Sequence, residues 1–439
     1  MKSEVYVGID VSSRKLVVSF VDDKGKDIRP TSTFKNSPGG WQKLSNIIST
    51  LKQSHRVVCG LEATGDHHIG ILNVLNSIEG IEVHELNPAS VKAFARVLNM
   101  SAKTDRLDSR VIALYLLRIQ PEKSYTPPHY VRRMRNLARM RRSLVEYRAS
   151  LKNQLHHILR VYFPGYRALV KHSFPVGLLH ILNRYPSPHL IIMAGKRRLM
   201  RLKIGPSHYP RERIVDGIIE VSMRAPEREL LEGEQGIIRW LTGAILEING
   251  LIRGIEKDMW DMVEKYYPEQ KLTTIPGIGK VTAGVILAEV GDVRRFMSKR
   301  KFIGYCGLYP MVYESGEMRR EGRMTYKGNR MLKMTLLLAG VSARRSNIQV
   351  RAYYERLMRR GKSKRAAGGA VARKLAEIVY AILVSGEEWS REKALEGIRK
   401  GEEMARAAWP MPQSGKIDGV ETPDTVVSSG SGGPIESIS

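Results

Sequence analysis

Lys103-Thr104-Asp105-Arg106-Leu107-Asp108 sets two carboxylates three residues apart. A helix turns that spacing onto one face, where both acids can share a cation. Two further acids, Asp10 and Glu62, each follow a short apolar run. Hard oxygen ligands of this kind suit Mg²⁺, which binds through a few carboxylates together with substrate phosphate. Two such ions can clamp the attacking and leaving oxygens of a phosphodiester. Taken singly, each acid reads as well as a turn residue, a helix-start acid or a surface charge. Asp10, Glu62, Asp105 and Asp108 together read as a metal-binding, catalytic quartet for phosphodiester chemistry, with two magnesium ions expected.

A second candidate lies downstream, where Gly307-Leu308-Tyr309-Pro310 precedes Glu314-Ser315-Gly316-Glu317. A serine beside a glycine on an exposed turn can be a nucleophile, and usually it is only a turn. No histidine stands near Ser315 in sequence to act as its base.

The elements that must position these residues follow from pattern. Val5–Ile9 is an apolar run ending at Asp10, Leu16–Val21 is a second strand, and Asp23-Lys24-Gly25 is the hairpin turn leading onward. Trp41–Leu51 has helical spacing, Val57–Leu61 is a buried-type strand ending at Glu62, and Ile81–Leu86 is a further strand. Asn87-Pro88 opens a helix with proline in its first turn. Strands alternating with helices predict an α/β layer with acids at strand ends, where open α/β sheets place their sites. Pro127-Pro128 closes this first domain.

From Met134 the pattern is helical. Met134, Leu137, Leu144, Leu151, Leu155, Ile158 and Tyr162 form a 3-4 seam in which Arg141 and Arg148 take two positions. Ile238, Leu241, Ile245, Ile248, Ile252, Ile255, Met259 and Met262 form a cleaner one, predicting coiled-coil helices. The pattern leaves open whether they pair within the chain or between subunits. Between them lies a basic insert with Lys196-Arg197-Arg198, Arg201 and Lys203, suited either to a solvated face or to phosphate contacts. Near Leu272 a third domain begins, and Pro276-Gly277-Ile278-Gly279 has the core of a helix-hairpin-helix turn that could bring backbone N–H groups to a phosphate. Residues 410–439 are rich in Gly, Ser and Pro, with Lys416 as their one cation, and read as a disordered tail.

Composition narrows the partners. Lys and Arg number 72 against 44 Asp and Glu, a formal net charge of +28 over 439 residues. Such an excess repels itself in a compact chain and calls for a polyanion. The two cysteines, Cys59 and Cys306, sit in apolar contexts without a CxxC pair, so disulfides and structural zinc are not expected. No run of eighteen apolar residues and no signal peptide is found, so the expectation is a cytoplasmic protein with no membrane partner.

At these residues the chain resembles the DEDD transposases of the insertion sequence 110 (IS110/IS1111) family, the bridge-RNA-guided recombinases. The resemblance rests on Gly8-Ile9-Asp10-Val11-Ser12, Glu62-Ala63-Thr64-Gly65, Lys103 through Asp108, Ile275 through Gly279, Gly307 through Pro310 with Ser315-Gly316, Lys327-Gly328-Asn329 and Arg360-Gly361-Lys362. It spans roughly residues 5 to 390. The resemblance implies an α/β plus all-α fold. A RuvC-like, ribonuclease H-like DEDD domain (1–126) would be followed by a coiled-coil domain with the basic insert (127–270). A mainly helical C-terminal transposase domain with helix-hairpin-helix (271–408) and the tail (409–439) would complete it. It implies that Asp10, Glu62, Asp105 and Asp108 bind Mg²⁺, and that Ser315 attacks DNA and becomes joined to a phosphate. The metal-bearing acids would activate the serine, which accounts for the missing histidine. It further implies donor and target double-stranded DNA, a structured noncoding guide RNA, a homo-oligomer (dimer or tetramer) with a site composed from two subunits, and a prokaryotic, nucleoid-associated location. The departures are Asp66-His67-His68 where an aromatic is common, and Ser109 where Ala is usual.

Three functions follow as expectations: an RNA-guided DNA recombinase using Ser315; a RuvC-like metal-dependent nuclease or junction resolvase in which water attacks; and a non-catalytic nucleic-acid scaffold.

Overall fold

The computed structural model describes residues 3–63, 66–100, 104–121, 125, 127–170, 173–225, 232–315 and 318–408, with some side chains in 312–323 and 401–408 excepted. The expected tail therefore lies outside the described residues, as do Lys103, Thr64, Gly65 and Gly316. The chain divides into two compact units, 1–136 and 137–439.

The first unit is built on a mixed sheet. β1 (Glu4–Val11), β2 (Lys15–Asp22) and β3 (Asp27–Lys35) form an antiparallel meander. After α1 (Pro38–Ser54), β4 (Arg56–Glu62) returns parallel to β1. After α2 (Ile69–Asn76), β5 (Glu82–Leu86) extends the sheet beside β4, so the strand order is β3-β2-β1-β4-β5. α3 (Pro88–Val97) starts where Asn87 accepts the Ala89 N–H at 2.9 Å, and α4 (Asp105–Ile119) follows. Strands β1, β2 and β4 are buried on both faces, which explains their nearly unbroken apolar sequences. One face packs on α1 and α2 through Val7, Ile9, Leu44, Ile48 and Leu72; the other packs on α4 through Tyr6, Val58, Ile112 and Leu116.

Two long helices frame the start of the second unit. α5 (His129–Tyr162) is followed by α6 (Val176–Arg184), α7 (Pro188–Met200), α8 (Glu212–Met223) and α9 (Glu232–Tyr266). Arg141 Nε meets Glu256 at 2.7 Å, Arg148 Nη1 meets Asn249 at 2.6 Å, and Tyr162 bonds Glu234. Rising numbers on α5 meet falling numbers on α9 in constant register, so the helices are antiparallel and pair within one chain. The arginines that interrupt the α5 seam are thereby explained: each reaches a polar partner on α9. The basic insert is itself a helical layer, with Leu178, Leu182, Ile191, Val215 and Ile218 buried against Leu155, Leu159, Ile238 and Leu241. Lys196 follows a break at Gly195 in α7 and pairs with Glu212 at 2.6 Å and Asp216 at 2.9 Å on α8. That cation ties helices together.

The remainder is mainly helical: α10 (Lys280–Val290), α11 (Lys299–Cys306), a hairpin of β6 (Pro310–Ser315) and β7 (Met318–Met324), then α12 (Arg330–Ser346), α13 (Ile348–Arg359), α14 (Lys364–Ser385) and α15 (Arg391–Ala408). The Pro276–Gly279 turn leads into α10 as its sequence predicts, but a 3-10 turn over Lys271–Thr274 precedes it in place of a full first helix. The hairpin is an element the sequence pattern did not suggest. Both cysteines are buried free thiols that burial pushes up to about 12. No helix among the described residues is long and apolar enough to cross a membrane.

Candidate active site

Asp10 stands one residue before the end of β1, and Glu62 is the last residue of β4. Parallel pairing of Ile9 with Leu61 makes these acids the next residues along neighbouring strands, at the carboxyl edge of the sheet. The other two acids arrive on α4. Thr104 caps that helix, its side chain accepting the Leu107 N–H at 3.3 Å. Asp105 and Asp108 thus fall in the first turn, where the helix dipole favours negative charge. What brings that turn down to Asp10 is Gly8. A Cβ there would lie 2.1 Å from the Ser109 carbonyl oxygen and 2.4 Å from the Ala113 nitrogen, so only a glycine lets helix and strand meet this closely.

The electrostatics record the convergence. Burial, then the charges of Asp108 and Asp105, push Asp10 up to about 6, against the opposing pull of the Val11 N–H and Lys15. Burial likewise raises Glu62 above the usual carboxylate range, reinforced by Asp10 and Asp108. The expected quartet is therefore close enough to interact. Lys15 Nζ, at the start of β2, bonds Asp105. Among the described residues no three acidic, imidazole or thiol side chains converge tightly enough to form a ready ligand set. Lys15 already engages one of the four carboxylates, that of Asp105. The donor chemistry nevertheless fits a hard divalent cation: all four side chains offer oxygen, and a cation would offset the burial and the neighbouring charges that raise Asp10 and Glu62.

Ser109, where the resembling family usually has Ala, is fully buried. Its hydroxyl lies 2.8 Å from that of Ser19 on β2 and donates to the Arg106 carbonyl at 3.0 Å. The departure is thus matched by a polar partner on the sheet beneath α4. His68 is also buried, with Nε2 3.2 Å from Glu85.

Ser315 belongs to the second unit. It is the last residue of β6, and its backbone pairs with Met318 across the hairpin. The foot of this hairpin is fixed by backbone contacts. The Thr325 N–H donates to the Tyr309 carbonyl at 3.0 Å, and Lys333 Nζ donates to the Thr325 carbonyl at 2.7 Å. Gly307 (φ 67) and Gly328 (φ 100) face each other so closely that a Cβ on Gly328 would lie 2.7 Å from the Gly307 Cα. Beneath them Asn329 Nδ2 donates to the buried Glu289 Oε2 at 2.7 Å and to Tyr305 OH at 3.1 Å, while its Oδ1 caps α12. Sequence reasoning did not single out Glu289. The available signal was a lone acid near the end of the apolar stretch Val281–Val290, a position that burial tolerates only with partners.

Comparison with known proteins follows the same two segments. The family described as a transposase of the DEDD IS110 type matches residues 7–164, and the transposase IS116/IS110/IS902 family matches residues 269–355. Among curated relatives, the "Insertion element IS110 uncharacterized 43.6 kDa protein" of Streptomyces coelicolor is 25% identical over 70% of this chain and 77% of its own length. The "Pilin gene-inverting protein" of Moraxella bovis is 21% identical over 87% of this chain and 96% of its own. The "Transposase for insertion sequence element IS1111A" of Coxiella burnetii is 32% identical over 27% of this chain and 34% of its own.

Proposed function

Since this chain belongs to the IS110 family of transposases and is therefore an enzyme acting on DNA, we propose that it cleaves and rejoins strands at insertion-sequence donor and target sites through a covalent serine–DNA intermediate. The observation that carries the reading is the placement of Asp10 and Glu62 on neighbouring strand ends beside the first turn of α4, where Asp105 and Asp108 act on Asp10, and Asp10 and Asp108 act on Glu62. The strand order β3-β2-β1-β4-β5 supports assigning that sheet to the RuvC-like class.

These four carboxylates would hold Mg²⁺, which when bound supplies positive charge to the attacking and leaving oxygens. Ser315 provides the nucleophile: its oxygen bonds to phosphorus as the strand's bridging oxygen leaves, and the proton lost by the serine balances the one the leaving oxygen gains. A hydroxyl of the incoming strand then displaces the serine, so each phosphodiester broken is restored without external energy. The end of a two-stranded hairpin whose foot is clamped to α11 and α12 suits a residue that must reach into DNA. The net charge of +28 supports polyanionic partners, and we assign donor and target DNA together with a guide RNA to that role, within a homo-oligomer.

The test is covalent. Incubation with its DNA and Mg²⁺ should yield a protein–DNA adduct that Ser315→Ala abolishes together with cleavage. A Ser315→Ala protein that cleaves at the parent rate would remove the serine mechanism and leave the metal-dependent nuclease or junction resolvase. RNA recovered with the purified protein should bind it with an affinity that falls steeply as salt rises.

A further inference from the structure

A depression of about 460 Å³ opens in the second unit between α5 and the start of α12, lined by Arg139, Arg142, Glu146, Asn329, Arg330 and Met331. Such a volume lies within the roughly 300–1,000 Å³ of ligand sites, so it exceeds what a single small ion needs. Its chemistry is lopsided. Three guanidinium groups from two helices share the rim with the carboxylate of Glu146. Arg142 uses Nε on Glu146 at 2.8 Å, and Arg139 Nε lies 3.5 Å from the buried Glu289 Oε1. Each of those contacts engages one edge of a planar fork that has five N–H donors. Arg330 is exposed and forms no ion pair with a described residue. Guanidinium groups gathered on one rim repel one another unless an anion lies between them, and their forked donors match the oxygens of a phosphate.

We propose that this depression is a binding site for the phosphodiester backbone of nucleic acid, with Arg142 and Arg330 as its principal phosphate ligands and Arg139 supporting them. The site lies at the start of α12, the helix whose Lys333 Nζ donates to the Thr325 carbonyl at the foot of the β6–β7 hairpin. A strand held here is thus held on the helix that anchors the element carrying Ser315. Recognition is through phosphate, so it is indifferent to base sequence.

The experiment measures binding of the full chain, in EDTA so that no cleavage is involved, to a random-sequence DNA duplex and separately to an RNA duplex across a salt series. Its outcome is therefore independent of the serine and magnesium reading above. Arg142→Gln combined with Arg330→Ala should weaken binding about tenfold at moderate salt and reduce the salt slope by about two, one for each phosphate no longer neutralised. Weakening confined to the DNA arm or to the RNA arm identifies the backbone that occupies the site. Glu146→Gln is the sharper test: it removes the opposing carboxylate and frees Arg142, so binding should tighten severalfold, which no folding defect can imitate. Affinities and slopes equal to the parent's in the arginine variant, or a Glu146→Gln protein that fails to tighten on either nucleic acid, would overturn the proposal.

Discussion

A Cβ on Gly8 would stand 2.1 Å from the carbonyl oxygen of Ser109, so β1 and α4 meet backbone to backbone one residue beyond Asp108. This contact sets how near the acids of the helix come to Asp10 on the strand. Gly8→Ala should cost about 1–3 kcal/mol, the ordinary penalty of overpacking. It should also depress activity beyond what the reduced stability explains, because the helix that moves carries Asp105 and Asp108. Thermal denaturation together with cleavage assayed well below the variant's midpoint separates the two effects; a fully active, destabilised variant would show that the approach of α4 does not matter.

The hydroxyls of Ser19 and Ser109 form a buried pair at 2.8 Å, and Ser19 also lies 3.2 Å from Thr31 Oγ1. Removing one hydroxyl costs the other a partner, leaving Ser19 with Thr31 or Ser109 with the Arg106 carbonyl, whereas removing both leaves small apolar groups facing each other. Ser109→Ala should cost about 1 kcal/mol, and the double change with Ser19→Ala should cost less than the two single changes added together. Urea denaturation of the four proteins measures the coupling, and strict additivity would mean the pair contributes nothing.

Asp10 is raised to about 6 by burial and by its acidic neighbours. A carboxyl with a raised pKa favours the fold when protonated: its contribution is complete below the unfolded carboxylate range and is lost as pH climbs through about 6. The cation-free protein should therefore lose stability between about pH 4 and pH 7. Asp10→Asn should remove that loss, gaining on the order of 1 kcal/mol at pH 7.5 once the partly exposed site is discounted for screening. Added Mg²⁺ should raise the parent's melting temperature at pH 7.5 and do much less for Asp10→Asn. Equal shifts in both proteins would argue against a cation at these acids.

The acidic edge was legible because β1 and β4 are buried on both faces and so read as apolar runs, each visibly ended by its acid. β3 was not, since Asp27–Lys35 is a half-exposed edge strand with Pro30 and mostly polar residues. The β6–β7 hairpin was equally hidden: Met318-Arg319-Arg320-Glu321-Gly322-Arg323-Met324 carries no apolar alternation. The seams of α5 and α9 announced long helices, but the choice of partner lay in Arg141 and Arg148, which only make sense once Glu256 and Asn249 stand opposite. Lys15 was beyond reach, because nothing in its neighbourhood marks it as the residue that meets Asp105. Ser315 became a candidate by resemblance alone, for a serine on a turn has no distinguishing pattern.

Asn329 does two jobs that substitution can separate. Its Oδ1 accepts the Leu332 N–H at 2.9 Å, capping α12, and its Nδ2 donates to Glu289 at 2.7 Å. Asp caps as well as Asn does, so Asn329→Asp keeps the first role and turns the second into a carboxylate facing a carboxylate. The expected loss is about 2–3 kcal/mol at pH 7.5, with much of it recovered near pH 4–5, where a proton shared by the two acids relieves the repulsion. Asn329→Ala removes the cap and the donor together, and its deficit should persist at both pH values. Chemical denaturation at the two pH values distinguishes these patterns. An Asn329→Asp protein as stable as the parent at pH 7.5 would mean that the Glu289 contact does nothing to fix the start of α12 on α10.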